Sequence, residues 1–584
     1  MFAIYKTLVF LYLIPVLLLL WLVDKFTVNV PFWYQWSSID LFFHISQGKI
    51  IFNDFFSQHN EHRLFFPRII FVILAFASKW NIKIELFCSI FLAILIFLLF
   101  YKISDFNRKN TSDRLFHVTN ILICYLTFSY SQWENWLWGF QIALFLINLC
   151  LIGAIFVITC LPNISLNKRI AIAAILCFIA SFSSAHGLLT WLALVPAIIF
   201  SKDNLKDNIK IITIWMGLFF LSGFLYSIGY VKPGGHPSLS FLLQSPLAGI
   251  NYFFSLLGSP LLASNSNPNI SIFIGMIIFT LWVSINIYTY INHKKAFIQN
   301  FIPWFSLGLF VILFDCVTTV GRVGFGLPQS LSSRYTTIGV LLIISLIQIS
   351  RLFLTLEHSQ TVIKLSRRIY LFLIALVFTT LASSSVNAIT ILEINMNPPK
   401  VKGKTCLELI YLFDRNPDKS VDDCLEHIFP VAKFVKDKVK KLDELQFRQF
   451  IKEADLITPP PDRLYGFIDS PPTNQKPLII NKNQNNPLTL SGWAVLPNTS
   501  AKPNLVLFSF NNKKTFFALT NITINRPDVV DFLKSPRFNK SGWTINLSPQ
   551  TLPLGEKTIK AWVYDQENKQ FIKLNGEIKI LVKD

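Results

Sequence analysis

The chain of 584 residues is 52% hydrophobic, contains 56 phenylalanines and has only 15% charged residues. Because soluble domains carry about 25% charged residues, this composition excludes a wholly soluble protein and indicates a polytopic membrane protein with a soluble tail after about residue 391. The formal net charge of +20 lies largely in short loops between apolar runs, where cationic residues mark the cytoplasmic side. No RNA- or DNA-binding motif accompanies it, so nucleic acid is not a predicted partner.

The first apolar run, residues 1–23, contains no small-residue cleavage site, so we interpret it as a retained span and not as a removed signal peptide. Apolar runs and cationic loops then alternate. If every cationic loop faces the cytoplasm, the chain crosses the membrane about eleven times, with the N-terminus inside and the C-terminal part outside. The predicted spans are about 8–23, 83–101, 115–132, 138–160, 170–183, 187–200, 210–229, 270–291, 301–317, 336–354 and 369–391.

Two apolar segments are shorter than the ~20 residues that a span needs. A crossing by residues 64–78 would put the next cationic loop outside, so we expect this segment to lie in the outer interface or to dip into it. The runs 170–183 and 187–200 are joined by SSAHG and have cationic residues on both flanks. This charge pattern favours a hairpin with His186 at its tip over one long tilted helix.

This topology places five unusually polar stretches on the outer face. Ionisable groups at membrane depth are unfavourable by a few kcal/mol each and tend to line cavities, so we predict a functional site where these stretches meet. They are SSIDLFFHISQGKIIFNDFFSQHNEHR (37–63), SQWENWLWGFQ (131–141), SSAHG (183–187), YVKPGGHPS (230–238) and GRVGFGLPQSLSSRY (321–335).

The residue types in these stretches suit sugar transfer from a lipid-linked phosphate donor. A carboxylate in a partly dry cleft can act as general base towards an acceptor hydroxyl; the candidates are Glu61, Asp40 and Asp54. Arginine binds phosphate oxygens bidentately; the candidates for the donor phosphate are Arg63, Arg322 and Arg334, with His62. Aromatic faces suit sugars; the candidates for sugar or acceptor binding are Trp133, Glu134, Trp136, His186, His236 and Tyr335.

Simpler interpretations of the same residues stay open at this point. Glu61 and Arg63 could form a local ion pair that fixes the loop. The tryptophans of 131–141 could be interfacial belt residues. His59 and His62 beside Glu61 match no strong metal-ligand spacing. No cofactor is predicted, and a divalent cation is left open.

The runs HNEHRLFFPR, WENWLWGFQ and GR…FG…SRY resemble an uncharacterised bacterial branch of the GT-C superfamily of polytopic membrane glycosyltransferases. The resemblance covers roughly residues 1–391. It implies a polyprenyl-phosphate sugar donor, an inverting reaction and a catalytic carboxylate in the first outer loop. The superfamily usually places that acid soon after the first span, whereas this chain reads VNVPFWYQWSS there, without a carboxylate. Residue chemistry favours Glu61, with Asp40 next.

The sequence after residue 391 predicts two further segments. Residues 392–477 read as a helical extracytoplasmic region followed by a proline-rich linker, and Cys406 and Cys424 suit a disulfide in an oxidising compartment. Alternating short strands in 478–584 predict an all-β sandwich. The motifs GWAV, RPDVVDFL and SGWTINL resemble a small β-module appended to bacterial glycosyltransferases, which implies glycan binding or acceptor positioning, with structural support an equal alternative.

The predicted fold is therefore an α-helical, multi-pass protein of a bacterial inner or plasma membrane, GT-C-like, with an exported β-sandwich. The predicted partners are a lipid-linked sugar donor and a glycan, lipid or protein acceptor. The alternative functions are a transporter or flippase, or a polymerase or ligase, for lipid-linked glycans. Transporters often contain internal repeats, and none is evident here. A non-catalytic anchor for the β-domain would not explain the polar stretches between the spans.

Overall fold

The structure is a computed structural model that describes residues 2–108, 111–201, 205–235, 237–238, 240–356, 360–472, 477–497 and 503–584. Its helices are α1 Phe2–Phe26, α2 Ser38–Ser46, α3 Phe52–Phe56, α4 Phe65–Ser78, α5 Ile82–Phe106, α6 Asp113–Thr127, α7 Trp133–Trp136, α8 Ile142–Cys160, α9 Leu166–Ser181, α10 Leu189–Ala193, α11 Val195–Ile199, α12 Leu205–Ser227, α13 Ser240–Gln244, α14 Pro246–Gly258, α15 Pro268–Asn292, α16 Lys294–Ala296, α17 Ile302–Arg322, α18 Ser333–Phe353, α19 Gln360–Ile391, α20 Asn397–Glu408, α21 Lys419–Leu425, α22 Ala432–Glu444 and α23 Pro527–Leu533.

The strands follow the same chain order. They are β1 Gln58–His59, β2 His62–Arg63, β3 Asp455–Ile457, β4 Gly466–Ser470, β5 Leu478–Asn481, β6 Leu488–Ala494, β7 Leu505–Phe510, β8 Ala518–Asn521, β9 Ile524–Asn525, β10 Lys540–Leu547, β11 Gly555–Asp565, β12 Gln570–Lys573 and β13 Ile578–Lys583.

The chain forms two compact units. The first comprises Met1–Asn29 and His44–Asn397, and the second comprises Val30–Phe43 and Pro398–Asp584. The sequence predicted a boundary at 391, and the first unit ends at Asn397; the sequence did not indicate that Val30–Phe43 would fold with the C-terminal unit. Two contacts hold this segment there: the backbone N–H of Trp33 donates to the carbonyl of Ile428 at 2.9 Å, and Phe42 and Phe447 meet edge to face.

Among the described residues, eight helical stretches are long and apolar enough to cross a membrane. The other three runs predicted as spans form shorter helices: α6 has 15 residues, α9 has 16, and Ala185–Ile199 is a short apolar helix. The eight stretches are Leu8–Phe26, Ile82–Phe106, Gly139–Cys160, Ile209–Ser227, Pro268–Asn292, Lys294–Phe325, Ser333–Phe353 and Ser366–Glu408.

Helix termini of the first unit gather at two separate ends. At one end, the Asn107 side chain after α5 donates to the carbonyl of Asn300 before α17, and Arg351 of α18 donates to Thr111 before α6. At the other end, the Ser333 hydroxyl that starts α18 donates to the carbonyl of Ser131 after α6 at 2.7 Å. The cationic loops that contain Arg108 and Arg351 thus belong to the first end, away from the polar stretch around Ser131.

The apolar segment 64–78 forms α4, a 14-residue helix. Its beginning is tied to the preceding loop, because Arg68 donates to the carbonyls of Phe55 and Ser57. The chain just after it is tied to the end of α1, because the N–H of Ile82 donates to the Asn29 side chain at 3.0 Å. These contacts fix α4 at its beginning and just past its end, and the expectation that this segment does not cross the membrane stays a prediction.

The second unit contains two sheets that share one core. One sheet has the strand order β4-β6-β10-β9, and the other has β3-β12-β11-β13-β5 with β7 and β8 added beside β11. Buried side chains from both sheets, including Leu490, Trp543 and Val563, form a single hydrophobic cluster, which is the arrangement of a β-sandwich. Gly492 of β6 pairs with Trp543 of β10. A glycine is required there because a Cβ atom at position 492 would lie 2.6 Å from the Trp543 indole.

The sandwich begins earlier in the chain than the sequence predicted. Within the segment interpreted as a proline-rich linker, β3 pairs in parallel with β12 and β4 pairs antiparallel with β6. The prolines lie in the turns that flank these short strands, where their missing N–H removes no ladder hydrogen bond. The described part of this segment, up to residue 472, is therefore integrated in the domain through β4.

Cys406 and Cys424 form the disulfide that the sequence predicts, with their Cα atoms 6.3 Å apart. Closing a loop of this length stabilises a protein by about 2–4 kcal/mol. We expect the double variant Cys406→Ser/Cys424→Ser to lower the free energy of unfolding of the second unit by that amount, measured by denaturant titration of the purified chain. Cys316→Ser, which replaces an exposed free cysteine, is the control. Equal stability of the parent and the double variant would contradict a structural role for the bridge.

Candidate functional site

The stretch FFSQHNEHRLFFPR folds as a small hairpin that presents Glu61 at its turn. Strands β1 and β2 pair Gln58 with Arg63 and His59 with His62. Asn60, in the turn, has φ +48°, a left-handed conformation that asparagine adopts more readily than most residues. The local sequence thus forces a tight reversal, and the Glu61 side chain leaves the hairpin at its tip.

Arg63 holds the hairpin in place. Its side chain is 3% exposed, and its guanidinium donates to the carbonyls of Phe56 at 2.7 Å and Tyr226 at 2.8 Å and to the carbonyl of Ile228. The Tyr226 hydroxyl in turn donates to the carbonyl of Glu61 at 2.6 Å. These contacts join the hairpin to the end of α12. Arg63 therefore has a structural role, because its guanidinium is bound to backbone carbonyls. This arrangement does not favour the predicted contact with a donor phosphate.

The Glu61 carboxylate lies between a guanidinium and an imidazole. Its Oε1 forms an ion pair with Arg322 at the end of α17 and lies 3.6 Å from Nε2 of His62. The predicted local pair with Arg63 does not form; the partner comes from a residue 261 positions away. Side-chain exposures of 19% for Glu61 and 25% for Arg322 place the pair in a partly dry cleft that solutes can reach.

The orientation of His62 is set by the SSAHG turn. Its Nδ1 lies 3.3 Å from the backbone N–H of Ala185 and 3.1 Å from the hydroxyl of Ser184. A backbone N–H can only donate, so Nδ1 is the acceptor and the ring proton of the neutral imidazole lies on Nε2. The Nε2 atom lies 3.6 Å from Oε1 of Glu61, so this N–H can orient the carboxylate electrostatically.

Gly187 allows the SSAHG turn to pack against α9. A Cβ atom at this position would lie 1.8 Å from the carbonyl oxygen of Ala180, a distance that no backbone tolerates. The turn carries His186, whose ring lies 5.9 Å from that of His62 and 4.3 Å from that of Phe314. The absence of a side chain at Gly187 thus brings two histidines to the same wall of the cleft.

We expect Gly187→Ala to displace this turn and to lower the free energy of unfolding of the first unit by about 1–3 kcal/mol, the usual effect of overpacking. The control is Gly217→Ala, because a Cβ atom at Gly217 of α12 meets nothing within 4 Å and alanine favours the helix. Thermal unfolding of both purified variants in detergent checks the difference. A Gly187→Ala protein as stable as the control would show that the turn is not packed as described.

A second carboxylate–arginine pair lies on the neighbouring segments. Glu134 Oε1 lies 3.3 Å from Arg334, and the Asn135 side chain donates to the carbonyl of Arg334 at 3.0 Å. Val323, next to Arg322 in the chain, packs in a hydrophobic cluster with Tyr252 and Leu256. The predicted residue Tyr335 packs against the same cluster.

The tryptophans of this region have different environments. Trp136 is 0% exposed, stacks on Phe145 and donates from its indole to the carbonyl of Ser129 at 2.8 Å. It is a core residue, and its ring is not accessible to a sugar, contrary to the prediction. Trp133 is half-buried and keeps its predicted role as a candidate sugar contact.

The five polar stretches do meet, as the topology predicted. Besides the contacts of Glu61 and His62, the Gln58 side chain bonds to the backbone of Val231, and the His59 ring lies 5.2 Å from that of Phe140. Burial lowers the pKa of His59 to about 4, so this imidazole is neutral near pH 7. His236, another candidate, lies outside the described residues.

The other two predicted carboxylates are engaged elsewhere. Asp54 Oδ1 accepts from Nδ1 of the His44 ring at 3.0 Å, and its Oδ2 accepts from the N–H of Ile51 at the start of α3. Asp40 belongs to the second unit and forms ion pairs with Lys438 and Lys441. Burial raises the pKa of Asp40, but the hydrogen bonds from both lysines outweigh it and hold the pKa below its usual value. Both carboxylates are therefore engaged with partners other than Arg322.

Sequence reasoning did not find Tyr226 and Ser184, which orient Glu61 and His62. Ser184 belongs to the polar stretch SSAHG but was not itself a candidate, and Tyr226 lies at the end of an apolar run without a distinctive motif, so only the folded chain shows their roles. Within the described residues, no group of three or more His, Cys, Asp or Glu side chains could hold a metal ion. Comparison of the chain with protein-family models, with curated proteins and with solved structures gave no match, so the chemistry of the cleft is the guide to function.

Proposed function

We propose that this protein transfers a sugar from a polyprenyl-phosphate donor to a glycan, lipid or protein acceptor at the extracytoplasmic surface of a bacterial plasma membrane. The observation that supports the proposal most is the position of Glu61, with its carboxylate between Arg322 and the Nε2 of His62. A carboxylate in a partly dry cleft next to a cation provides the two functions that such a transfer needs: a proton acceptor and a binding partner for phosphate.

In the proposed step, an acceptor hydroxyl attacks the anomeric carbon of the donor sugar. The new bond to the acceptor oxygen forms as the bond from the anomeric carbon to the phosphate oxygen breaks, and the bonding electrons leave with the lipid phosphate. Glu61 takes the proton of the acceptor hydroxyl, and the Nε2–H of His62 lies beside the carboxylate and orients it. Arg322 stabilises the negative charge that develops on the phosphate.

The pair of Glu134 and Arg334 is proposed to complete the cleft. Arg334 has a side-chain exposure of 34%, which leaves its planar fork accessible to a second phosphate oxygen. Glu134, Trp133 and His186 are proposed to contact sugar or acceptor hydroxyls. An inverting outcome and a GT-C-like architecture with about eleven crossings are part of the proposal, on the resemblance of the quoted motifs and on the alternation of cationic loops.

The test is sugar transfer by the purified full-length chain in liposomes. Polyprenyl-phosphate sugars that carry a radiolabel in the sugar are supplied with a cell-envelope extract as acceptor, and label is followed from the lipid phase into the acceptor. We expect label to move only when active protein is present, and unlabelled polyprenyl phosphate to inhibit the transfer. If a broad panel of lipid-linked donors yields neither transfer nor donor binding, the proposal is wrong.

A further inference from the structure

Asp315 is a carboxylic acid in the middle of a membrane-length helix, and the site described above does not use it. It lies in α17, within the candidate span Lys294–Phe325, and is 2% exposed. At a rise of about 1.5 Å per residue, it lies about 10 Å along the helix from Arg322. Acidic groups at such a depth are rare and mark functional positions.

Two buried hydroxyls share its face of the helix. Thr318 and Thr319 follow Asp315 by three and four residues, a spacing that stacks side chains on one face, and they are 3% and 5% exposed. Within the described part of the chain, the Oδ2 of Asp315 and the hydroxyls of both threonines have no hydrogen-bond partner. Three polar oxygens therefore lie together in the protein interior without a donor.

This arrangement differs from that of several other threonines in the helices of the first unit. Thr127, Thr159 and Thr289 each donate to the carbonyl four residues earlier, at 2.7–2.8 Å. That local bond is the usual way to satisfy a hydroxyl in an apolar helix. Thr318 and Thr319 do not make it, so their oxygens are available to an external group.

The surrounding contacts show where these oxygens face. Phe314, one residue before Asp315, packs against the His186 ring at 4.3 Å. On the far side of the same face, the Cγ2 of Thr319 lies 3.9 Å from the Cβ position of Gly249 in α14. Asp315 and Thr318 lie between these two contacts, in line with Arg322. The polar face thus continues from the Glu61 cleft towards the membrane interior.

The chemistry of this group identifies its ligand class. An ionised carboxylate without a partner is strongly unfavourable in an apolar interior, and Arg322 of the same face is paired with Glu61. Hard cations prefer oxygen donors, and divalent sites usually combine several carboxylates with other oxygens. Here one carboxylate and two hydroxyls supply a single negative charge. We propose that Asp315, Thr318 and Thr319 bind a monovalent alkali cation such as Na⁺.

This proposal does not depend on sugar transfer, and the test measures the cation alone. The full-length protein in detergent is unfolded thermally in NaCl and in choline chloride of equal ionic strength. A ligand that binds only the folded state raises the melting temperature with a saturable dependence on its concentration, and we expect a rise of at least about 3 °C. Equilibrium binding of ²²Na⁺ to the same sample should saturate near one ion per chain.

Two variants assign the effect to the site. Asp315→Asn should abolish both the thermal shift and ²²Na⁺ binding, and the isosteric Thr318→Val/Thr319→Val should weaken binding at least tenfold. Asp54→Asn, which changes a partnered carboxylate elsewhere, should retain the shift. The proposal is overturned if the parent binds no ²²Na⁺ and has the same melting temperature in NaCl and in choline chloride. That is the result expected if Asp315 stays protonated and neutral. It is also overturned if Asp315→Asn and Thr318→Val/Thr319→Val both bind ²²Na⁺ with the affinity of the parent.

Discussion

We expect Glu61→Gln to reduce the rate of sugar transfer by at least about 100-fold while the protein remains folded. A positioned general base contributes about 10²- to 10⁴-fold to such reactions, and glutamine cannot take the acceptor proton. The substitution keeps the size of the side chain and an oxygen that can still accept from Arg322, so the hairpin should retain its contacts. Initial rates of label transfer at saturating donor, together with the melting temperature, separate loss of chemistry from loss of structure.

Asp113→Asn is the matched control, because Asp113 lies at the cationic end of the first unit with a side-chain exposure of 84%. It should transfer sugar at the parental rate. Glu134→Gln should instead raise the KM for the acceptor with a smaller effect on kcat. If Glu61→Gln transfers sugar within about threefold of the parent, Glu61 is not the general base, and the proposed role of His62 in orienting it fails as well.

Arg63→Met is expected to destabilise the first unit by about 3–5 kcal/mol. Hydrogen bonds that involve a charged group contribute about 1.5–3 kcal/mol each, and Arg63 makes three of them to the carbonyls of Phe56, Tyr226 and Ile228. Methionine fills a similar volume but leaves these carbonyls without a donor in a buried setting. Thermal or denaturant unfolding in detergent measures the loss.

Arg63→Lys separates charge from geometry. Lysine keeps the positive charge, but it cannot reach three divergent carbonyls with a planar fork, so this variant should also be destabilised. Lys102→Met, which removes an exposed cation elsewhere in the unit, should unfold as the parent does. If Arg63→Met is as stable as the parent but has a raised KM for the lipid-linked donor, the structural role of Arg63 is wrong. Arg63 would then bind the donor phosphate, as the sequence predicted.

The sequence predicted the helical part of the fold because long apolar runs and cationic loops follow from the lipid environment itself. It did not predict that Val30–Phe43 would join the C-terminal unit, because an apolar loop carries no sequence pattern that identifies the distant segment on which it packs. The early start of the sandwich was missed for another reason: the prolines around β4 dominate the composition of 457–477 and obscure strands of only three to five residues.

The candidate site was predicted as a group of segments but not as a set of contacts. The predicted alternation of spans placed Glu61, His62 and Arg322 on one side of the membrane, whereas the pairing of Glu61 with Arg322 and not with Arg63 depends on the fold of the hairpin. Trp136 was assigned to a sugar by residue type, and only packing shows that it is buried. Asp315 could have been found, because an acid inside the predicted span 301–317 is itself a signal.

The central claim is that the Glu61 cleft opens on the side of the membrane opposite the cationic loops. Single cysteines at Phe325, which is 48% exposed beside the cleft, and at Lys102 in a cationic loop can be probed in intact cells with a membrane-impermeant maleimide. The parent chain, with its native cysteines, gives the background. We predict that Phe325→Cys labels from outside and that Lys102→Cys labels only after permeabilisation. Labelling of Lys102→Cys from outside, with Phe325→Cys protected until the cells are opened, would contradict an extracytoplasmic sugar transferase.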